Sequence, residues 1–350
     1  MSGRGIRERL AFPDLLRPGS PPKNGMLRAP VDFICYSQVP MPTTPISNPT
    51  NAAGQSIDSR EASMGWRALY PFQPKRFRLD GVEMSYVDEG AGEPVLMVHG
   101  NPTWSFYWRG LIKRLCGQHR TIAVDHIGCG LSDKPADYAY CLAQHRDNLV
   151  KLVDGLELHN ITLVAHDWGG AIGLAALLER QEKFKRIVLY NTGAFPPPYI
   201  PLRIRACRWP IVGKIGVQGF NMFARAATTM ATEQPGGLPG PVAAGMLAPY
   251  DNWTNRSAIY GFVKDIPATP SHETWSVLQK IETRLPELRE LPVLLVWGMK
   301  DWCFRPECLD RFCQHWPHAE VHRIASAGHF VVEDAATEVE ATTAEFLSRS

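Results

Sequence analysis

The stretch Ile161-Thr-Leu-Val-Ala-His-Asp-Trp-Gly-Gly170 decides how this chain is read. Four apolar or β-branched residues end in a small one, then come His166-Asp167-Trp168, a glycine pair and the apolar run Ala171-Ile-Gly-Leu-Ala-Ala-Leu-Leu178. The pattern predicts a buried strand that turns sharply into a helix. From Ala165 to Gly169 the turn has the spacing small-x-nucleophile-x-small, with Asp167 at its centre. Small neighbours are needed there because the central backbone is strained and its surroundings pack closely. A carboxylate at such an elbow, in place of a hydroxyl, changes the chemistry open to the chain. Asp is also a common helix N-cap, so the partners found elsewhere must decide between the two readings.

A chain of 350 residues can bury a full α/β core. Apolar content of 45% and charged content of 21% are ordinary for a soluble enzyme. The net charge of +2 gives no reason to expect nucleic acid or an acidic partner. No apolar run reaches the roughly 18 residues of a membrane span. Arg4, Arg7 and Arg9 precede only Leu10-Ala-Phe12 before Pro13, too short for a secretory segment. The eight cysteines include no CxxC pair, and the five-residue spacing of Cys303, Cys308 and Cys313 predicts different helix faces, not a metal hook. Buried thiols in a reducing cytoplasm are the expectation, with no metal and no cofactor.

Residues 1–60 differ from the rest. Nine prolines fall between Pro13 and Pro49 among Ser, Thr, Asn and Gly, a composition that buries too little apolar area to offset ordering entropy. A disordered extension is expected, with Met64 as an alternative initiator and a processed targeting segment as the competing reading. The folded part starts near Trp66. Arg76–Leu79, Asp80-Gly81 and Val82–Val87 form a hairpin signature. Short buried strands at 94–98, 121–124, 161–165 and 186–190 alternate with helical stretches, which requires a mostly parallel sheet covered on both faces. That rhythm stops at Thr192 and resumes at Pro292-Val-Leu-Leu-Val-Trp297. The interval 193–291 is read as a helical cap inserted before the acid-bearing strand, above the strands' C-terminal ends where ligands bind. The expected core is then 66–192 plus 292–350, closing with a helix at 306–316, a strand at 320–324 and a helix from about Asp334 to Leu347.

Three titratable residues follow different strands. Asp167 follows the first, Asp301 follows Val293–Trp297, and His329 follows Val321–Ile324 within Ala327-Gly-His-Phe330. The order nucleophile, acid, histidine is that of an α/β-hydrolase. His329 needs one ring nitrogen held by a carboxylate so that the other can accept a proton. Behind strand 186–190 stand only Asn191-Thr192, so Asp301 is the acid. His99-Gly-Asn-Pro102 completes the site: its loop can aim a backbone N–H, together with that of Trp168, at an oxygen that becomes negative. The Asn101 amide and the Trp168 indole N–H are two further neutral donors, suited to a departing anion.

At this point a resemblance becomes specific. His99-Gly-Asn-Pro-Thr-Trp-Ser-Phe-Tyr-Trp-Arg109, Asp125-His-Ile-Gly-Cys-Gly-Leu-Ser-Asp133 and Val164-Ala-His-Asp-Trp-Gly-Gly170 resemble the haloalkane dehalogenases, over roughly residues 66 to 350 and only weakly in the cap. The resemblance implies that Asp167 displaces halide from an alkyl carbon and that His329, oriented by Asp301, activates water to hydrolyse the alkyl-enzyme ester. Asn101 and Trp168 then hold the halide. The late acid and the Asn–Trp pair are similar to the third subfamily, and no cap Trp is assignable as a second halide donor. Asp301-Trp-Cys-Phe304 and Gly328-His-Phe-Val-Val-Glu-Asp334 also resemble the β-lactone decarboxylases of bacterial long-chain olefin synthesis, which imply the same residues acting on a fatty β-lactone to give alkene and carbon dioxide.

The halide reading is placed first and the lactone reading second; an alkyl halide or a fatty β-lactone is the expected partner. An epoxide hydrolase would need cap tyrosines as proton donors, for which Tyr199, Tyr250 and Tyr260 are present. A non-catalytic ligand receptor is the reading of a different class. The segment Pro198–Val212 is apolar with interspersed arginines. A solvated cap helix is the first reading of it. A helix that lies on a membrane surface or admits a greasy chain is the second, with weak association with a membrane surface or another biosynthetic enzyme as the matching partner expectation.

Overall fold

The computed structural model describes residues 65–349. The expectations for residues 1–60 and for Met64 fall outside the described residues. Eight strands form a single sheet: β1 (Lys75–Leu79), β2 (Val82–Glu89), β3 (Pro94–Val98), β4 (Arg120–Val124), β5 (Ile161–Asp167), β6 (Phe184–Thr192), β7 (Val293–Gly298) and β8 (Glu320–Ile324). Their order is β1-β2-β4-β3-β5-β6-β7-β8. β2 runs antiparallel to both β1 and β4, and all remaining pairs are parallel.

The middle segments of the central strands, such as Val95–Val98, Ile187–Tyr190 and Val293–Trp297, are apolar without interruption because both of their faces are covered. Successive side chains point to opposite faces, so each strand feeds two cores. Leu96, Leu163, Leu189 and Leu295 pack on one side with the helices Leu142–Gly155 and Trp168–Glu179. Met97, Val164, Val188 and Val296 pack on the other, against Trp104, Trp108 and Phe346. Trp66, in the first described helical turn, sits edge-on to Trp104 and Phe106, with ring centroids at 5.9 and 6.0 Å.

Several boundaries differ from expectation, among them both ends of β6, which runs from Phe184 to Thr192. β5 continues two residues beyond Ala165, to Asp167 itself. After His329 the chain makes a short helix at Val331–Asp334 before the terminal helix Ala336–Ser348. In the short helix Glu333 forms a two-pronged ion pair with Arg109, at 2.5 and 2.8 Å. Between β6 and β7 the described elements are all helical, from Leu202–Cys207 to Leu285–Leu288. Cys303 precedes the helix Pro306–His315 instead of lying on it, and with Cys308 it lines the cavity described below.

Candidate active site

Asp167 occupies the junction of β5 and the helix Trp168–Glu179 with φ 53° and ψ −129°, a conformation that a non-glycine residue holds only when its surroundings enforce it. The Thr192 hydroxyl donates to the Asp167 carbonyl. Gly169 accommodates the turn, since a Cβ there would lie 2.1 Å from the Val98 carbonyl oxygen. Gly100 does the same for the opposing loop, where a Cβ would fall 2.0 Å from Asp167 Oδ1. The Asp167 side chain makes no capping hydrogen bond to the N–H groups of Gly169 or Gly170, where an N-cap would bond, so the N-cap alternative does not describe it.

The two carboxylate oxygens are not equivalent. Oδ1 accepts the Asn101 backbone N–H at 2.6 Å, and the Trp168 backbone N–H also faces the carboxylate and favours its charged form. Oδ2 lies 3.7 Å from His329 Nε2, too far for a direct hydrogen bond. Burial raises the Asp167 carboxyl above its usual range, and the His329 ring and the two N–H donors counter this without cancelling it.

His329 Nδ1 donates to Asp301 Oδ2 at 2.9 Å. Burial alone would lower its pKa, but the charge and hydrogen bond of Asp301, with the charge of Asp167, more than offset this and hold it above the ordinary histidine value. The loop that carries His329 is fixed at several points. Asp334 Oδ2 accepts the Gly328 N–H at 2.8 Å, Phe330 N–H donates to Ala231 O at 2.6 Å, and His166 Nε2 donates to the His329 carbonyl at 2.9 Å. Thus Asp167, His329 and Asp301 are brought together from three strand ends.

Asn101 and Trp168 meet beside Asp167 on the wall of an apolar cavity of about 260 Å³, which Tyr199, Phe223, Met230 and Val263 close from the cap side. The Asn101 amide is partly engaged, donating to the Ile259 carbonyl at 3.3 Å, while its Oδ1 is buried without a partner.

The profile of the alpha/beta hydrolase fold family matches residues 93–205 and 221–336. The chain belongs to this family. Over 289 residues it is 40% identical to a cis-3-alkyl-4-alkyloxetan-2-one decarboxylase of Shewanella oneidensis, covering 81% of this chain and 90% of the relative. It is 32% identical over 281 residues to haloalkane dehalogenase 2 of Mycobacterium tuberculosis, covering 79% and 96%. The solved structure of DatA, a haloalkane dehalogenase of Agrobacterium tumefaciens, superposes with a TM-score of 0.72 at 25% identity, covering 79% of this chain and 96% of that one. Both families that the motifs resemble are therefore among its relatives, and this α/β hydrolase is an enzyme of hydrolase type.

Several residues of the hydrolase site escaped the sequence reading. Asn191, set aside for lacking a carboxylate, donates to Asp301 Oδ2 at 3.0 Å and braces itself on both backbone groups of Gly298. Cys303 N–H donates to Asp301 Oδ1 at 2.6 Å. The ring of Phe304 stacks on His329 at 5.8 Å. The one available signal was position: Asn191 stands where an acid could follow β6.

The three tyrosines weighed as proton donors are otherwise engaged. Tyr199 donates to Cys303 O at 2.6 Å, Tyr250 to Thr103 O at 3.2 Å, and Tyr260 to Pro210 O at 3.4 Å.

Proposed function

We propose that Asp167 attacks a saturated carbon of a small apolar substrate, that Asn101 and Trp168 receive the anion released, and that the substrate is a β-lactone carrying alkyl chains. One observation carries the mechanism: one Asp167 oxygen is held by the Asn101 backbone N–H while the other faces His329 beside an apolar cavity. Oδ2 attacks C4 of the oxetan-2-one ring. The C4–O bond breaks and the ring oxygen departs as a carboxylate, an anion suited to two neutral donors. The bond from C3 to that carboxylate then breaks. Its electron pair forms the alkene, carbon dioxide leaves, and the ester bond returns its electrons to Asp167.

The second reading uses the same atoms on an alkyl halide. Oδ2 displaces halide, water attacks the ester carbonyl, and His329 Nε2 accepts the proton while Asp301 supports the imidazolium. The oxygen that becomes negative is then Oδ1, already held by the Asn101 N–H. Motifs alone put this reading first, and the dehalogenase relatives support it. The greater similarity to the decarboxylase moves the lactone ahead. Epoxide opening fits less well, because the tyrosine protons are committed to backbone carbonyls.

In this reading 193–291 acts as a cap over a core of 66–192 and 292–350, closing the apolar side of the cavity. Buried thiols at Cys129 and Cys308 support a reducing cytoplasm as its location, and none of the described helices is long and apolar enough to cross a membrane. Weak association of the cap with a lipid surface or a biosynthetic enzyme belongs to the same proposal.

The test compares kcat/KM for a long-chain cis-β-lactone, read as alkene and carbon dioxide, with that for 1-bromobutane, read as bromide, using Asp167→Ala as the blank. A ratio strongly favouring the lactone is expected. Efficient bromide release with no alkene would reverse the order of the two readings.

A further inference from the structure

The cap concentrates two features on its outer side. Among the described residues, every exposed large apolar side chain falls between Leu202 and Trp253, with Leu202 at 80%, Ile211 at 74%, Phe220 at 68% and Trp209 at 62% exposure. A monomer rarely leaves such residues together in water without a partner for them. They form a neighbourhood as well as a sequence run. A Cβ on Gly219 would lie 3.5 Å from the Trp253 ring and 3.7 Å from Ile215, and one on Gly216 would lie 3.2 Å from Met222.

The second feature is charge. No Asp or Glu occurs between Glu182 and Glu233, although the whole chain is nearly balanced, with 37 basic and 35 acidic residues. Within that interval Arg203, Arg205, Lys214 and Arg225 are exposed, and none of them forms an ion pair among the described residues. Arg203 and Lys214 instead lie over the rings of Trp302 and Trp253, at 4.2 and 5.9 Å.

Apolar side chains, tryptophans and unpaired cations on one face match the layers of a bilayer surface. Acyl chains accept the first, the interfacial region the second, and anionic headgroups the third. The face is also continuous with the cavity mouth: Met222 and Met230 are 59% and 44% exposed, and both line the cavity, as does Arg203.

We propose that the outer face of the cap, from Leu202 to Met230 with Trp253, docks on an anionic lipid bilayer, so that an alkyl-chain substrate passes from the lipid into the cavity beside Asp167. The docking stands on the exposed face alone; the delivery of substrate rests on the apolar-substrate reading above. A protein partner fits the charge pattern less well. A docking protein would have to cover the cations as well as the apolar groups, whereas an anionic bilayer presents negative charge wherever the face lands.

The experiment measures co-sedimentation of the full chain with phosphatidylcholine vesicles, with and without one third phosphatidylglycerol, in the absence of substrate. Binding should be on the order of tenfold or more stronger on the anionic vesicles and should weaken in 0.5 M salt. Replacing both Arg205→Gln and Lys214→Gln should lower partitioning by about fivefold per charge. Trp209→Ser with Ile211→Ser should weaken binding by on the order of tenfold or more, because two of the most exposed apolar side chains of the face are lost. Neither residue lines the cavity, so this variant should keep the wild-type kcat/KM on a short water-soluble substrate. It should lose rate only on a long-chain lactone presented in vesicles.

Absent or equal binding to the two vesicle types would overturn the proposal. So would unchanged binding by the Trp209/Ile211 variant. A dimer or a complex with another enzyme that this variant dissociates, with no vesicle binding by the wild type, would assign the face to a protein instead. Because partitioning is read without turnover, its failure is distinguishable from failure of the lactone reading, which would appear only as missing alkene.

Discussion

Asp301→Asn should slow ester hydrolysis and move its pH dependence in a direction set by the hydrogen bonds. Asp301 accepts three: Cys303 N–H on Oδ1 at 2.6 Å, and Asn191 Nδ2 and His329 Nδ1 on Oδ2 at 3.0 and 2.9 Å. An asparagine has a single acceptor oxygen and an NH₂ group. With the oxygen facing Cys303, the NH₂ opposes two donors and forces a proton onto Nε2 of His329, which removes the base. With the oxygen facing His329, two bonds survive and one buried N–H, that of Cys303, loses its partner at a cost of about 1–3 kcal/mol. The second orientation loses fewer bonds and keeps the useful tautomer, so activity should fall without vanishing. What disappears is a charge-assisted hydrogen bond to the imidazolium, worth about 1.5–3 kcal/mol, or roughly ten- to a hundredfold in rate.

The pH shift follows from the same geometry. His329 must be neutral to accept a proton, so the rate rises as pH passes upward through its pKa. In the resting wild type Asp301, helped by the Asp167 charge, holds that pKa above the ordinary value against the opposing effect of burial. In the ester the Asp167 charge is gone, leaving Asp301 as the main raising influence. Removing it lets burial prevail, and the limb moves to lower pH. The assay is single-turnover hydrolysis of an alkyl ester formed from a reactive bromide, followed from pH 5 to 10. An unmoved limb with an unchanged plateau would refute the pairing of Asp301 with His329.

Three further outcomes test the remaining parts. His329→Gln should accumulate an alkyl adduct on Asp167 from a reactive halide, visible by intact-protein mass; normal turnover would remove His329 as the base. Trp168→Phe keeps a ring and deletes one N–H, so displacement should slow by about 2.7–4 kcal/mol, a hundredfold or more, with weaker inhibition by product anion. Unchanged kinetics would take the indole out of the anion site. Gly100→Ala places a methyl group 2.0 Å from Asp167 Oδ1, and the resulting displacement should cost on the order of a hundredfold in kcat, with the melting temperature as a check that the fold persists.

The sequence by itself determined the order of strands and helices, because uninterrupted apolar runs such as 94–98 and 161–165 are affordable only inside a sheet buried on both faces. It also singled out Asp167, His329 and Asp301, since strand ends punctuated by small residues mark where side chains can be presented. Its limits lay where function depends on contacts distant along the chain. Asn191 has no local pattern that distinguishes it from a turn residue; only the adjacency of β6 and β7 puts its amide on Asp301, 110 positions away. Glu333 likewise gained meaning through Arg109, 224 residues earlier. The split of the Asp167 carboxylate into a held oxygen and a free one was decided by tertiary structure alone. It requires the His99–Pro102 loop to approach within 2.6 Å, an approach permitted by the absence of a Cβ on Gly100. A linear pattern carries residue types and local periodicity, whereas hydrogen-bond direction and orientation of a reactive atom arise only when separate strand ends converge.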